Sequence, residues 1–295
     1  MKHTWTITLY LLLLFLATQL LGLWLLSKNV HVVQEDGKYV LLHEDTVLGP
    51  RPETTGATSF LYILFAVLIG TILVLLLIKY RNVKLWRIWY GLACFLTLSI
   101  ALGVLLPNLI AFAIGAILTY LKLRYYNLYT HNLTEILIYA GIGVFLAPIL
   151  DVKWATILLI SIALYDMYAV WRSKHMIEMA KFQTQTKLFS GLSIPYKTIK
   201  PLPHKISTPH SESQTAILGG GDIAFPLLFT GTAMESILST GQSIAIALSH
   251  STLIVLGSTL ALLILFLLAK KNRFYPAMPF IAMGCFVGYG VMLFL

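Results

Sequence analysis

Two aspartates stand inside apolar stretches of this 295-residue chain, where an ionisable side chain is costly. Asp222 directly follows the three glycines 219–221, and Pro226 lies four residues after it. The glycines leave the backbone open to close approach, and Pro226 cannot donate a hydrogen bond to the carbonyl of Asp222. Asp166 lies in the apolar run 163–168, whereas most other acidic residues fall in loops or near the ends of apolar segments. This pair of acids is therefore the first candidate for chemistry.

Two carboxyls that face each other in a medium of low dielectric cannot both ionise easily, so one of them retains a proton. A water held between them has a base to take its proton and an acid to protonate a carbonyl oxygen. These are the requirements for hydrolysing a peptide bond without a covalent intermediate. The same acids also suit a structural pair that fixes helix packing, or a path for protons or cations. The residues alone leave these three interpretations open.

The composition indicates a membrane protein. Hydrophobic residues make up 58% of the chain and charged residues 11%, with a mean hydropathy of +0.82, whereas about a quarter of the residues of a soluble domain are charged. The net charge of +9 comes from lysines and arginines that flank apolar runs, a pattern typical of topology determinants rather than of nucleic-acid binding. Cys94 and Cys285 lie in apolar runs and suggest neither a disulfide framework nor a metal site.

Nine apolar segments predict an all-α polytopic fold with nine transmembrane helices. The segments cover about 5–26, 59–78, 88–106, 109–121, 133–150, 154–171, 215–234, 242–268 and 275–295. They divide a single membrane domain into a six-helix part (1–171), a cytoplasmic loop (172–214) and a three-helix part (215–295).

The positive charges predict a cytoplasmic N-terminus and an extracytoplasmic C-terminus. When nine spans are threaded this way, 17 of the 21 lysines and arginines lie on the cytoplasmic side, and the exceptions are Lys28, Lys38, Arg51 and Lys153. Asp166 then precedes the inner end of the sixth segment by five residues, and Asp222 follows the inner end of the seventh by seven. At 1.5 Å per residue the depths are roughly 8 and 10 Å below the cytoplasmic face. We therefore expect the two carboxyls to meet at nearly the same level.

Three short motifs resemble those of the intramembrane aspartyl proteases. Tyr165-Asp166 in the sixth segment, Gly219-x-Gly221-Asp222 in the seventh and Pro276-Ala277-Met278 in the ninth are similar to the YD, GxGD and PAL motifs of that family. Within the family the chain is most similar to presenilin and its archaeal homologues, because the sibling signal peptide peptidases cross the membrane with the opposite polarity. Met278 replaces the leucine of the third motif, a change that conserves volume.

The resemblance implies an aspartic endopeptidase that cleaves transmembrane helices, with Asp166 and Asp222 as its catalytic pair. It further implies that six residues bind the substrate or shape the site: Tyr165, Gly219, Gly221, Pro276, Ala277 and Met278. The alternative is a proton-coupled transporter or cation-leak channel that uses the same two acids.

The expected partners are single-span membrane proteins or peptides and the lipid bilayer. We expect no nucleic acid, metal or organic cofactor, and the sequence itself requires no accessory subunit. The expected localisation is a prokaryotic plasma membrane or an organelle membrane.

The polar stretch before the seventh segment suggests how an unwound substrate is held. A helix is cut only after part of it unwinds and its backbone groups find new partners. The extended residues 194–206 offer a strand edge for that purpose, and a solvated tether fits their composition equally well.

Overall fold

The computed structural model describes residues 4–80, 82–125, 127–173, 178–179, 182–183, 185–186, 188–195, 215–269 and 275–294. This part of the chain is mostly helical. Its long helices are Trp5–Asn29 (α1), Ala57–Lys79 (α2), Val83–Gly103 (α3), Asn108–Arg124 (α4), Leu128–Leu146 (α5), Val152–Met167 (α6), Gly221–Leu238 (α7), Ile244–Leu268 (α8) and Met278–Met292 (α9). Its strands are Val30–Glu35 (β1), Lys38–His43 (β2), Gly191–Pro195 (β3) and Thr215–Gly219 (β4).

Polar side chains begin four of the helices. Each accepts a hydrogen bond from a backbone N–H two or three residues further along the chain, and they are Asn82, Asn127, Asp151 and Ser243. Such caps satisfy amide groups that the first helical turn leaves without partners.

Among the described residues, six helical stretches are long and apolar enough to cross a membrane. They are Trp5–Asn29, Ala57–Lys79, Val83–Gly103, Leu128–Ile149, Val152–Arg172 and Ile244–Leu268, and Met278–Met292 is a shorter apolar helix. This is the pattern of a multi-pass membrane protein.

The helices form one bundle with α1 inside it. This helix packs against α5, α7 and α8. Glycines bring α8 and α9 together, since a Cβ added to Gly284 would lie 2.3 Å from the carbonyl oxygen of Gly257. By contrast, α2 buries only Ser59, Ile63 and Val74.

The β1–β2 hairpin closes the end of α7 that is remote from Asp222. Its turn contains Asp36 and Gly37, both with positive φ. His43 Nε2 lies 2.9 Å from Oε1 of Glu235, a residue in the last turns of α7. This contact fastens the hairpin to the bundle.

The seventh predicted helix is wrong in its first part. Residues Thr215–Gly219 form a strand that pairs antiparallel with Gly191–Pro195, and α7 begins only at Gly221. Ala216 and Leu218 are buried while their neighbours are partly exposed, which is the alternation of a strand. Asp222 is therefore the second residue of α7, so the depth counted from residue 215 does not apply.

The predicted extended segment 194–206 is described only at its beginning. Ile194 and Pro195 belong to β3, and residues 196–206 lie outside the described residues.

Candidate active site

Asp166 is held by the N-terminus of a helix that is distant in sequence. It is the penultimate residue of α6 and is only 3% exposed. Its Oδ2 atom accepts a hydrogen bond from the backbone N–H of Met278 at 3.2 Å, and the N–H of Ala277 donates to the same carboxyl. These N–H groups start α9, where they have no partner within the helix. The beginning of α9 therefore fixes the carboxyl of Asp166.

The helix that carries Asp166 changes its winding directly after that residue. α6 ends at Met167, and Tyr168–Arg172 continue as a π-helical turn. Such turns widen the helix locally and are frequent at functional sites.

Asp222 sits at the junction of β4 and α7. The backbone N–H of Gly219 donates to its carboxyl, and the residue is partly buried. A position in the first turn of α7 also lets the positive end of the helix dipole act on the carboxyl. Pro226 lies inside α7 and lacks the N–H that would otherwise bond to the carbonyl of Asp222.

The carboxyls of Asp166 and Asp222 lie close enough to interact electrostatically. Their helices pack against each other, and α9 packs against both. Two neighbouring carboxyls, one buried and one partly buried, suit the sharing of a proton and the polarisation of a water.

The remaining sequence-predicted site residues differ in exposure and in what they contact. Gly221 is exposed beside Asp222, and Pro276 is buried at the start of α9. The hydroxyl of Tyr165 donates to Oγ1 of Thr71 at 3.4 Å, which links α6 to α2. Backbone contacts therefore join the GxGD and PAL motifs to the two acids, whereas the Tyr165 hydroxyl bonds to a neighbouring helix.

The comparison with known families agrees with these motifs. The family model described as signal-peptide peptidase, presenilin aspartyl protease matches residues 41–295. The chain belongs to this family.

Solved structures of presenilin family intramembrane aspartate proteases share the fold. One, in space group C222, is 19% identical, with 96% of this chain and 95% of that chain covered and a TM-score of 0.61. The other, in space group P2, is 18% identical, with 97% and 96% covered and a TM-score of 0.63. No curated protein matches the chain at a significant level.

Gly220, the unspecified residue of the family's GxGD motif, is the most crowded of the three glycines. A Cβ at Gly220 would lie 2.5 Å from the hydroxyl oxygen of Tyr139 and 3.0 Å from Oγ of Ser190. The corresponding nearest distances are 3.2 Å at Gly219 and 3.5 Å at Gly221. The motif assigns roles only to Gly219 and Gly221, because its pattern contains no information on what faces Gly220.

Glu135 is a second residue near the site for which the sequence predicts no role in this presenilin-type chain. The fifth segment was predicted to begin at 133, which put Glu135 at a helix end, but α5 begins at Leu128 and Glu135 is 1% exposed. Its nearest cation is Lys122, with Nζ 2.7 Å from Oε1. One signal was present in the sequence, since Glu135 and Tyr139 are four residues apart and therefore lie on one helix face.

Among the described residues, no three histidines, cysteines or acids cluster closely enough to hold a metal ion.

Proposed function

We propose that this member of the presenilin-type protease family hydrolyses peptide bonds of transmembrane helices with Asp166 and Asp222. One carboxyl takes a proton from a water, and the other protonates the carbonyl oxygen of the scissile bond. Because the pair shares one proton, one carboxyl is ionised and acts as the base while the other is protonated and acts as the acid.

The observation that supports the proposal most is that the two carboxyls stand on helices that pack against each other, Asp166 at the end of α6 and Asp222 at the start of α7. Each carboxyl is also held by backbone N–H groups, Asp166 by Met278 and Asp222 by Gly219. Fixed donors keep the acids in place before a substrate arrives, which lowers the cost of reaching the transition state.

The remaining motif residues are proposed to receive the substrate. Gly221 is exposed and leaves room for a peptide backbone beside Asp222. Pro276, Ala277 and Met278, which are buried, are proposed to shape the entrance from behind Asp166, and Tyr165 holds α6 against α2.

The outer edge of β4 is the proposed docking edge for the unwound part of a substrate. The outer edge of β3 is covered by α5, because the N–H and C=O of Ser193 both bond to the side chain of Asn132. Among the described residues, β4 pairs with β3 and has no second strand partner. Since β4 leads directly into Asp222, a strand added there would carry its peptide bonds towards the two acids.

The proposed topology has nine spans, a cytoplasmic N-terminus and an extracytoplasmic C-terminus. The division into 1–171 with Asp166, a loop over 172–214 and 215–295 with Asp222 belongs to the same proposal. Single cysteines at Lys38 and Lys84 test it, because sealed vesicles should expose them to a membrane-impermeant label on opposite sides.

The decisive experiment uses purified protein in liposomes together with a single-span helical peptide. Wild type is expected to cleave the peptide, and Asp166→Asn and Asp222→Asn are expected to lose cleavage while keeping the thermal unfolding temperature. Cleavage that persists in both variants would refute the assignment. Proton or cation flux without any cleavage by wild type would refute the proposed function itself.

A further inference from the structure

Lys122 and Glu135 form an ion pair that is almost completely enclosed by helices. The distance from Nζ to Oε1 is 2.7 Å, and the side chains are 2% and 1% exposed. Burial of two charges costs several kcal/mol for each ion unless further hydrogen bonds complete their coordination. The other contacts of the pair therefore decide whether its burial is stabilised.

The carboxylate of Glu135 is surrounded by donors. Oε1 accepts a hydrogen bond from Lys122 and lies 3.1 Å from the hydroxyl of Tyr90, whose single proton is also directed at the carbonyl oxygen of Phe189 at 2.9 Å. Oε2 accepts from the hydroxyl of Tyr139 at 2.5 Å and from the backbone N–H of Gly191 at 2.8 Å. The last contact leaves the helical bundle and reaches the first residue of β3.

A short series of contacts connects Gly191 to Asp222. Gly191 stands opposite Gly219 in the β3–β4 pairing, and the N–H of Gly219 donates to the carboxyl of Asp222. The carbonyl of Ser190 accepts the N–H of Gly220 at 3.2 Å. The hydroxyl of Tyr139, itself bonded to Glu135, fills the space where a Cβ at Gly220 would lie. Two routes therefore lead from Glu135 to the junction that carries Asp222.

The hairpin depends on such external contacts. A two-stranded sheet of five-residue strands is marginal by itself. The outward groups of β3 bond to α5: Gly191 to Glu135 and His131, and Ser193 to Asn132. Of these three α5 side chains, Glu135 is the one that also bonds to the hydroxyl of Tyr139, which lies against Gly220.

We propose that Glu135, charge-balanced by Lys122, is a positioning residue that sets the β3–β4 hairpin and thereby the carboxyl of Asp222. The inference rests on the proposed function, since it assumes that Asp222 takes part in cleavage. In this proposal the ion pair positions the site, and it does not serve mainly to stabilise the packing of the helices. A buried ion pair replaced by apolar side chains of similar size often leaves stability unchanged, so the two roles can be separated.

Two double variants test the proposal. Lys122→Met with Glu135→Met removes both charges and also the acceptor for the N–H of Gly191. Lys122→Met with Glu135→Gln removes both charges but keeps a carbonyl oxygen at the same place. Thr119→Val, a change of another buried side chain of α4, is the matched control.

The measurements are kcat and KM for the helical peptide, thermal unfolding, and amide hydrogen exchange over 188–195 and 215–222. For the Met variant we expect a fall in kcat of about tenfold or more with little change in KM, because small misplacements of reacting groups are costly. Exchange in both segments should accelerate by more than any fall in the unfolding temperature accounts for, because the Met variant leaves the N–H of Gly191 without its acceptor. The Gln variant should recover most of kcat and of the protection, and Thr119→Val should behave as wild type.

The proposal is overturned if exchange over 188–195 and 215–222 is unchanged in the Met variant. It is also overturned if kcat is unchanged, or if both double variants lose activity only in step with their unfolding temperature. Failure of the proposed function looks different, because wild type would then not cleave or Asp222→Asn would still cleave. If the proposed function fails in this way, hydrogen exchange still tests whether Glu135 positions the β3–β4 hairpin.

Discussion

The Oδ2 atom of Asp166 accepts a hydrogen bond from the backbone N–H of Met278, a residue 112 positions later in the chain. The bond joins the end of α6 to the start of α9, and it depends on the main chain of residue 278 rather than on its side chain. A methionine at this position can therefore make the same contact as the leucine of the family motif.

The first prediction concerns this N–H group. Met278→Pro removes the donor and also disfavours the helical conformation of Ala277, so its thermal unfolding is measured together with kcat. A hydrogen bond to a charged group contributes about 1.5–3 kcal/mol, so kcat for a helical peptide should fall by about tenfold or more. Met278→Leu keeps the donor and the volume and should stay within about twofold of wild type. Equal rates for the two variants would show that the Asp166 contact is dispensable.

The second prediction ranks the glycines before Asp222. Gly220→Ala should lower the free energy of unfolding by about 1–3 kcal/mol, because the new Cβ would overlap Tyr139 and Ser190. Gly221→Ala, whose Cβ would meet only Phe225 at 3.5 Å, should change it by less than about 0.5 kcal/mol. Chemical unfolding in detergent measures both values. A larger loss for Gly221→Ala would contradict the observed packing.

The third prediction tests the outer edge of β4. Ile217 stands opposite Ser193, whose own N–H points away from β4 to Asn132, so the N–H of Ile217 also points away from the β3–β4 pair. Ile217→Pro therefore removes a group that a substrate strand would use and leaves the pairing with β3 intact. The loss of one backbone hydrogen bond should weaken substrate binding by about three- to tenfold.

Ile217→Val is the control for this edge, since it changes the side chain and keeps the N–H. KM for the helical peptide is the measured quantity, and the unfolding temperature should be the same for both variants. An unaltered KM in Ile217→Pro would exclude strand addition at β4.

The fourth prediction compares two glycines of α9. Gly284→Ala should destabilise the bundle by about 1–3 kcal/mol, because the Cβ would lie 2.3 Å from the carbonyl oxygen of Gly257 and force α8 and α9 apart. Gly290 meets nothing within 4 Å, so Gly290→Ala should be neutral or stabilising by up to about 1 kcal/mol through helix propensity. Thermal unfolding in detergent distinguishes the two, and the prediction fails if Gly290→Ala is the more harmful change.

Much of the architecture follows from the contrast between apolar and polar stretches. The apolar segments around residues 5–26 and 242–268 coincide with α1 and α8 within a few residues. The two acids stand out in the sequence for the same reason, since a carboxyl within an apolar run is conspicuous without any knowledge of its neighbours.

Short apolar runs did not allow a helix to be distinguished from a strand in the sequence. Residues 215–219 read as the beginning of a helix because Ala216, Ile217 and Leu218 are all apolar, and periodicity does not separate a buried strand from a helix over five residues. Pairing with Gly191–Pro195 decides in favour of the strand, and it comes from a segment about 24 residues away in the chain.

Residue types and their local order identify this chain as a membrane protein with two unusual acids and with the motifs of a protease family. The folded bundle is needed to establish that Asp166 is held by α9, that Gly220 lies against Tyr139, and that Glu135 is buried opposite Lys122. A hydrogen bond or an ion pair requires two groups to meet. Partners on different helices are brought together by the packing of the bundle, which no single stretch of sequence specifies.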